Sequence, residues 1–300
     1  ARLAAEWGYD EVNLNCGCPS DRVAAKGEFG ASLMKKPQLV RECVKSMMDA
    51  LGAKPKVTVK CRLGVDDFDS RSFTNSFIRE VAQAGIEHFI VHARKCWLQG
   101  LTPEQNRKVP PLMYHRVLEL CAEFPELSFT LNGGVVSLEQ VRYILDVAPA
   151  NLIGVMIGRA ALDNPCMLAD CDRYIFKEAS NPATAMTRES LLIAYAGYLQ
   201  ATYPPESAAA CSSGSGGAQM ALKPILGLFH GTTGSKLLRR SVNELSHDPS
   251  SRRLGMGELL NRIIARLRDD PLAREHLLEP LPPAGGRWPP TLSAPLMDSA

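Results

Sequence analysis

The stretch "KVTVKCR" (56–62) crowds β-branched residues into a short run and ends on two cations, Lys60 and Arg62. Four more runs of this kind follow the same rhythm: "YDEVNLN" (9–15), "EHFIVHA" (87–93), "LSFTLNG" (127–133) and "LIGVMIG" (152–158). Helical patterns separate them, and strands alternating with helices at this spacing predict repeated βα units around a parallel sheet. Each run reads as nearly continuously apolar, the pattern of strands covered on both faces. Polar residues gather at the C-terminal ends: Asn15, Cys18, Lys60, Arg62, His92, Arg94, Asn132, Gly158 and Arg159. An α/β fold of the (β/α)8 TIM barrel type builds its active site at that end of its strands, so one pattern predicts both fold and site.

Five strands are fewer than eight. "ARLAAEWG" (1–8) reads as a helix with Leu3, Ala4 and Trp7 on one face, and a βα repeat places such a helix after a strand of its own. The expectation is an N-terminally truncated barrel, with about the last five βα units in residues 1–180 and roughly 80–100 residues of an ordinary barrel upstream. After Asn164-Pro165 only helices are predicted, at 186–202, 219–244 and 255–278. Residues 186–245 are expected to form a second, helical domain, interrupted at 204–218 by the small-residue insertion "PPESAAACSSGSGGA". Residues 246–300 add a helix and a tail, from Pro280, too rich in Pro and Gly to pack.

Composition narrows the class. Of 300 residues, 45% are hydrophobic and 22% charged, enough for one large or two smaller globular cores. A net charge of +2 confines any basic surface to a local patch. Nine cysteines, an odd number without regular spacing, point to a reducing compartment rather than a secreted disulfide scaffold. No run approaches the roughly 18 apolar residues of a membrane span, and no leader pattern opens the chain.

Cys16 and Cys18 stand one residue apart in "EVNLNCGCPSDR" (11–22). Four-ligand zinc spacing is missing, and a bridge between such close strand-end residues is strained. Both thiols are then small buried fillers, or one faces the site. Pro19 disfavours helix and holds an exposed turn, which makes Cys18 the better candidate for reactivity. Lys60 is either a solvated strand-end lysine or a cation aimed at the barrel mouth. His92 is either a satisfied core histidine or a cofactor ligand. Glycine pairs by themselves mark turns, but Gly133, Gly134 and Gly158 lie on the loops after the last two strands, where barrels bind phosphate through backbone N–H groups, and Arg159 adds charge there. The loop "ARKCWLQGLTPEQNRKVPPL" (93–112) is long enough to be functional. Lys223, Lys236, Arg239 and Arg240 form a basic cluster that by itself reads as a solvated helix face.

Several motifs in register make the reading specific. "NLNCGCPSDRVAAKGEFGASLM" (13–34) resembles the N-x-N-x-G-C-P-S signature of the tRNA-dihydrouridine synthases, and "VTVKCRLG", "FIVHARKCWLQGLTPEQNRKVPPL", "LNGG" and "GVMIGRAALDNP" follow in that family's order. The resemblance is closest to the subfamily that modifies D-loop positions 20 and 20a, and spans residues 1–170 strongly and 186–242 more loosely. It implies an FMN-dependent oxidoreductase that reduces uridine in tRNA, with NADPH as reductant. Cys18 would be the acid that protonates C5 while hydride reaches C6, and Cys16 an inert neighbour. Lys60, His92, Asn132, Gly133, Gly134, Gly158 and Arg159 would bind FMN. Asn15, Glu104, Arg107, Lys236 and Arg239 would face tRNA. The implied protein is a monomer without metal or membrane, in the cytoplasm or an organellar matrix. The family's Pro-Met segment and glutamine, from its first strands, have no counterpart here. Two rivals are an FMN barrel acting on a small molecule and an RNA-binding protein without catalysis.

Overall fold

A computed structural model describes residues 1–19, 29–51, 56–203, 220–248 and 254–284. The expected insertion at 204–218 and most of the C-terminal tail lie outside them. Within the described residues the chain forms two compact units, residues 1–135 with 143–158, and residues 136–142 with 159 onward. The change of unit after the last strand comes at residues 158 and 159, where the sequence reading carries the barrel to residue 180.

The first unit holds five strands, β1 (Glu11–Asn15), β2 (Lys56–Arg62), β3 (His88–His92), β4 (Ser128–Asn132) and β5 (Leu152–Met156). They form one parallel sheet in chain order. Between them run α1 (Arg2–Glu6, ahead of β1), α2 (Pro37–Leu51), α3 (Arg71–Ala82), α4 (Tyr114–Glu123) and α5 (Leu138–Val147), the last divided between the two units after residue 142. Ser70 starts α3 by accepting from the Phe73 N–H at 3.1 Å, a cap of the kind that contributes about 1 kcal/mol. Thr74, Phe77, Ile78 and Val81 then recur at helical spacing and are buried.

The strands differ from the continuous apolar runs expected of them. Side chains alternate across a strand, and in β1 to β4 that alternation is nearly strict. One face carries Val59, Cys61, Phe89, Val91, Phe129 and Leu131, all fully buried, with α2 packed on β2 and α4 on β4. The register puts Glu11, Asn13, Asn15, Thr58, Lys60, Arg62, His88, His92, Thr130 and Asn132 on the other face. Polar pairs bind across it: Asn13 Nδ2 donates to Thr58 Oγ1 at 2.8 Å, Thr58 donates to Glu11 at 2.6 Å, and the His88 ring meets Thr130 Oγ1 at 2.8 Å. The helix at 2–6 forms, but none of its residues is buried and Trp7 is 80% exposed.

The second unit is helical. After the short helices α6 (Arg159–Asp163) and α7 (Cys171–Tyr174) come α8 (Arg188–Thr202), α9 (Ser235–His247), α10 (Met256–Asp269) and α11 (Pro271–Leu278). Two long helices of the sequence reading are broken. Residues 223–227 form a 3-10 turn that opens on Lys223-Pro224, and Gly234, at φ +96°, precedes α9. Asp270 separates α10 from α11 and caps the latter through the Ala273 N–H at 2.8 Å, with Pro271 in the first turn. Residues beyond 246 are not an appendage: Leu259, Leu260, Ile263, Ile264, Leu267 and Leu277 share one core with Leu192, Leu199 and Phe229. A Cβ at Gly257 would lie 2.6 Å from the Ala196 carbonyl oxygen, so α10 and α8 cross where glycine permits it.

The tail also begins later than Pro280. Pro280 bridges Thr187, Leu281 N–H donates to the Met186 carbonyl at 2.8 Å, and Ala284 N–H donates to Asp170 at 2.8 Å. Backbone pairing and the buried Leu281 outweigh the breaker composition there.

Candidate functional site

Register assembles the site. Asn15 pairs with Lys60, Arg62 with His92, and His92 with Asn132, so five polar side chains from four strands occupy the C-terminal end of one sheet face. Parallel pairing brings together residues from separate strands only where the hydrophobic alternation of all four is in phase.

Cys18 sits on the turn that leaves β1. The Asn15 side-chain oxygen accepts from the N–H groups of Gly17 at 3.0 Å and Cys18 at 3.1 Å. Ala31 N–H donates to the Cys18 carbonyl at 2.8 Å, and Arg62 Nε donates to the Gly17 carbonyl at 2.8 Å. Three segments thus hold one turn. Both thiols are free, Cys16 fully buried and Cys18 half-buried. Burial, and secondarily the Cys61 and Cys43 thiols, pushes the Cys16 thiol far up, which leaves it protonated and inert. Asn15 therefore spends its oxygen inside the turn and keeps its amide nitrogen for any ligand.

Lys60 is half-buried beside this turn, and burial holds its pKa below the ordinary lysine value. Arg62 is 3% exposed and burial lowers its pKa as well. Removing a guanidinium from water costs several kcal/mol, offset here by charge-assisted bonds to backbone carbonyls. Next to it, Cys96 is fully buried and its thiol is pushed up to about 11 by burial.

His92 packs against the Gly133–Gly134 turn. Both glycines have positive φ, +118° and +69°, and a Cβ at Gly133 would lie 2.7 Å from His92 Cδ2. The buried Tyr114 hydroxyl donates to the Gly133 carbonyl at 2.6 Å, and Asn132 Nδ2 donates to the Met156 carbonyl at 2.8 Å. Consecutive glycine amides in such conformations make a concave donor for an anion. A half-buried ammonium, an imidazole and this turn suit a planar cofactor that carries negative charge. Gly158 is different: its φ is not left-handed and a Cβ there would meet nothing within 4 Å. Arg159 opens α6, in the second compact unit.

The loop after β3 is well ordered by internal bonds. Asn106, fully buried, accepts from Trp97 N–H at 2.8 Å and donates to the carbonyls of Trp97 at 2.9 Å and Leu101 at 3.2 Å. Arg107 follows it, half-buried, whereas the exposed Glu104 carboxylate pairs with Lys108 at 2.6 Å. In the helical unit, Lys236 and Arg239 are exposed on α9, opposite the buried Leu238, Val242 and Leu245. Neither pairs with a carboxylate among the described residues, whereas the neighbouring Arg240 lies 3.8 Å from Glu244.

In the sequence Arg62 is legible as a strand-end residue without a task, whereas Asn106, Tyr114 and Gly30, a glycine at φ +69° whose Cβ would meet the Cys18 carbonyl oxygen, are not legible. The strand alternation places Arg62 on the face of Lys60. Nothing local signals the other three.

The chain matches the family described as "Dihydrouridine synthase (Dus)" over residues 1–260. It is 43% identical over 247 residues to the tRNA-dihydrouridine(20/20a) synthase of Shewanella oneidensis, covering 82% of this chain and 68% of that protein. Proteins of the same description from Xanthomonas axonopodis pv. citri and Vibrio cholerae are each 43% identical, over 251 and 252 residues, covering 84% of this chain and 69% and 71% of theirs.

Proposed function

The chain belongs to the dihydrouridine synthase family, and from that premise we propose that it reduces a uridine in the D-loop of tRNA, at position 20 or 20a, to 5,6-dihydrouridine. FMN, when bound and reduced by NADPH, would supply the hydride for C6 of the uracil. Cys18 supplies the other hydrogen: its S–H bond breaks as the new C5–H bond forms, and the thiolate is reprotonated from solvent. A thiol suits this step because it holds its proton near neutral pH and releases it at small cost.

The observation that carries the reading is the Cys18 turn, held by Asn15, Ala31 and Arg62 at the same sheet end as Lys60 and His92. Lys60 offers positive charge to an anionic flavin ring, which is electrostatic stabilisation of the kind that preorganised sites provide. His92, Asn132, Gly133 and Gly134 would hold the cofactor, and by the family resemblance Gly158 and Arg159 would bind its phosphate. Asn15 contacts the uracil by its amide nitrogen, Arg107 and Glu104 meet the RNA near the target, and Lys236 and Arg239 grip the backbone. Base choice comes from taking the uridine out of its stack, since phosphate contacts carry no sequence information.

The sheet is part of a (β/α)8 barrel in this reading. Among the described residues β1 and β5 each pair on one side only, and Trp7, Tyr9, Ile153 and Met156 stand exposed beside those edges, an arrangement that further strands would cover. The enzyme acts as a monomer in a reducing compartment.

The test is mass spectrometry of an unmodified tRNA transcript incubated with the full-length protein, FMN and NADPH. Dihydrouridine at position 20 or 20a is expected, together with its loss in Cys18→Ala despite retained flavin. Normal product from Cys18→Ala would overturn the assignment of the proton donor.

A further inference from the structure

Arg62 adds side-chain bonds between two segments that otherwise meet through backbone pairing at the end of β2, Cys16 N–H to the Lys60 carbonyl and Cys96 N–H to the Gly64 carbonyl. Its Nε donates to the Gly17 carbonyl at 2.8 Å, in the turn that carries Cys18. Its Nη1 donates at 3.1 Å to the carbonyls of both Lys95 and Asn106, in the loop after β3. The side chain is 3% exposed, and among the described residues no carboxylate pairs with it. A cation so deeply buried is expensive, and an ion pair would be the ordinary compensation. Its hydrogen bonds go instead to backbone carbonyls of separate chain segments.

Each segment is tied together by bonds of its own. The Gly17 and Cys18 amides share one acceptor in Asn15, so a pull on the Gly17 carbonyl is felt at Cys18. Asn106 binds both the N–H and the carbonyl of Trp97 through its side chain and reaches Leu101, so its own carbonyl is fixed to the body of the loop. We infer that Arg62 is a positioning residue that ties the turn bearing Cys18 to the 95–107 loop, so that seating RNA on the loop and presenting the thiol are set by one side chain. The inference rests on the proposed reduction of a tRNA uridine. Lysine cannot replace it, because an ammonium is a single point on a flexible stem, whereas the planar guanidinium reaches carbonyls on two sides at once.

The full-length protein is compared with Arg62→Lys and Arg62→Gln. Hydrogen exchange read by mass spectrometry follows residues 15–19 and 95–107, with β4 as the control, and steady-state kinetics on a tRNA transcript separate kcat from KM. The expected result is faster exchange in both segments together and not in β4, a kcat lower by about 100-fold, the effect of a misplacement near 1 Å, and a KM for tRNA little changed. Unchanged kcat in both variants overturns the inference. So does a raised KM with kcat intact, which would make Arg62 an RNA contact, and so does unfolding of both variants, which would make it a core residue only. A wild-type protein that forms no dihydrouridine overturns the functional reading and this inference with it; activity in the wild type separates the two failures.

Discussion

A Cβ at Gly30 would lie 2.4 Å from the carbonyl oxygen of Cys18. Gly30 takes φ +69°, and the next residue, Ala31, donates to that same oxygen. The candidate acid is thus backed by a position where only glycine fits. Gly30→Ala combines a left-handed residue with a backbone clash, a strain of about 1–3 kcal/mol. Thermal melts should show the destabilisation, and product formation should fall by more than the lost folded fraction accounts for. Full activity in a folded variant would show that the turn tolerates displacement.

Lys60 sets a pH dependence of stability. Burial holds its pKa below 10.5, the ordinary value, so the unfolded chain binds the proton more tightly than the folded one. Between the lowered value and 10.5, stability gains as pH rises; below that window the buried cation is a standing cost. Lys60→Met should raise the melting temperature at neutral pH, remove that alkaline gain and slow dihydrouridine formation. Melts at pH 7 and pH 10 check the sign, and an unaltered pH slope would place the effect on another group.

Tyr114 supports the glycine turn from behind. Tyr114→Phe removes the donor from the buried Gly133 carbonyl, a loss of about 1–3 kcal/mol. The turn beside His92 should loosen, so urea unfolding should shift to lower concentration and FMN should bind more weakly in a fluorescence titration. Unchanged FMN affinity would mean that the 133–134 turn does not hold the cofactor.

Lys236 and Arg239 have no carboxylate partner among the described residues, so charge reversal to Glu breaks no ion pair among them. The double variant should keep its stability and bind tRNA more weakly at low salt, with the difference narrowing as salt rises. The slope of log affinity against log salt should flatten by about 0.7–0.9 for each phosphate that is no longer neutralised. An unchanged slope would move the RNA-gripping face elsewhere.

Much of the first unit is legible in the chain. All five strands lie inside the predicted runs, in chain order and parallel. Their faces are harder to read: "EVNLN", "KVTVKCR" and "SFTLN" alternate polar with apolar, and their overall apolar content hides a polar inner face. The helical unit is less legible, because Pro224, Gly234 and Pro271 interrupt stretches whose apolar periodicity runs on through them. At Pro280 the opposite holds, where a breaker-rich segment is fixed by pairing to residues 186–187.

By itself the sequence determined which residues stand at strand ends, since strand periodicity is a local property of neighbouring side chains. Lys60, His92 and Asn132 are placed near strand ends by that alone, and Cys18 just beyond one; the roles proposed for them come from the family resemblance. Only the tertiary structure decided what holds them: Arg62 reaches Gly17 across 45 residues of chain and Asn106 across 44, and Gly30, itself left-handed, lies against the Cys18 carbonyl. Such contacts depend on the path of the whole chain and on carbonyls that every residue carries, so no pattern of side chains announces them.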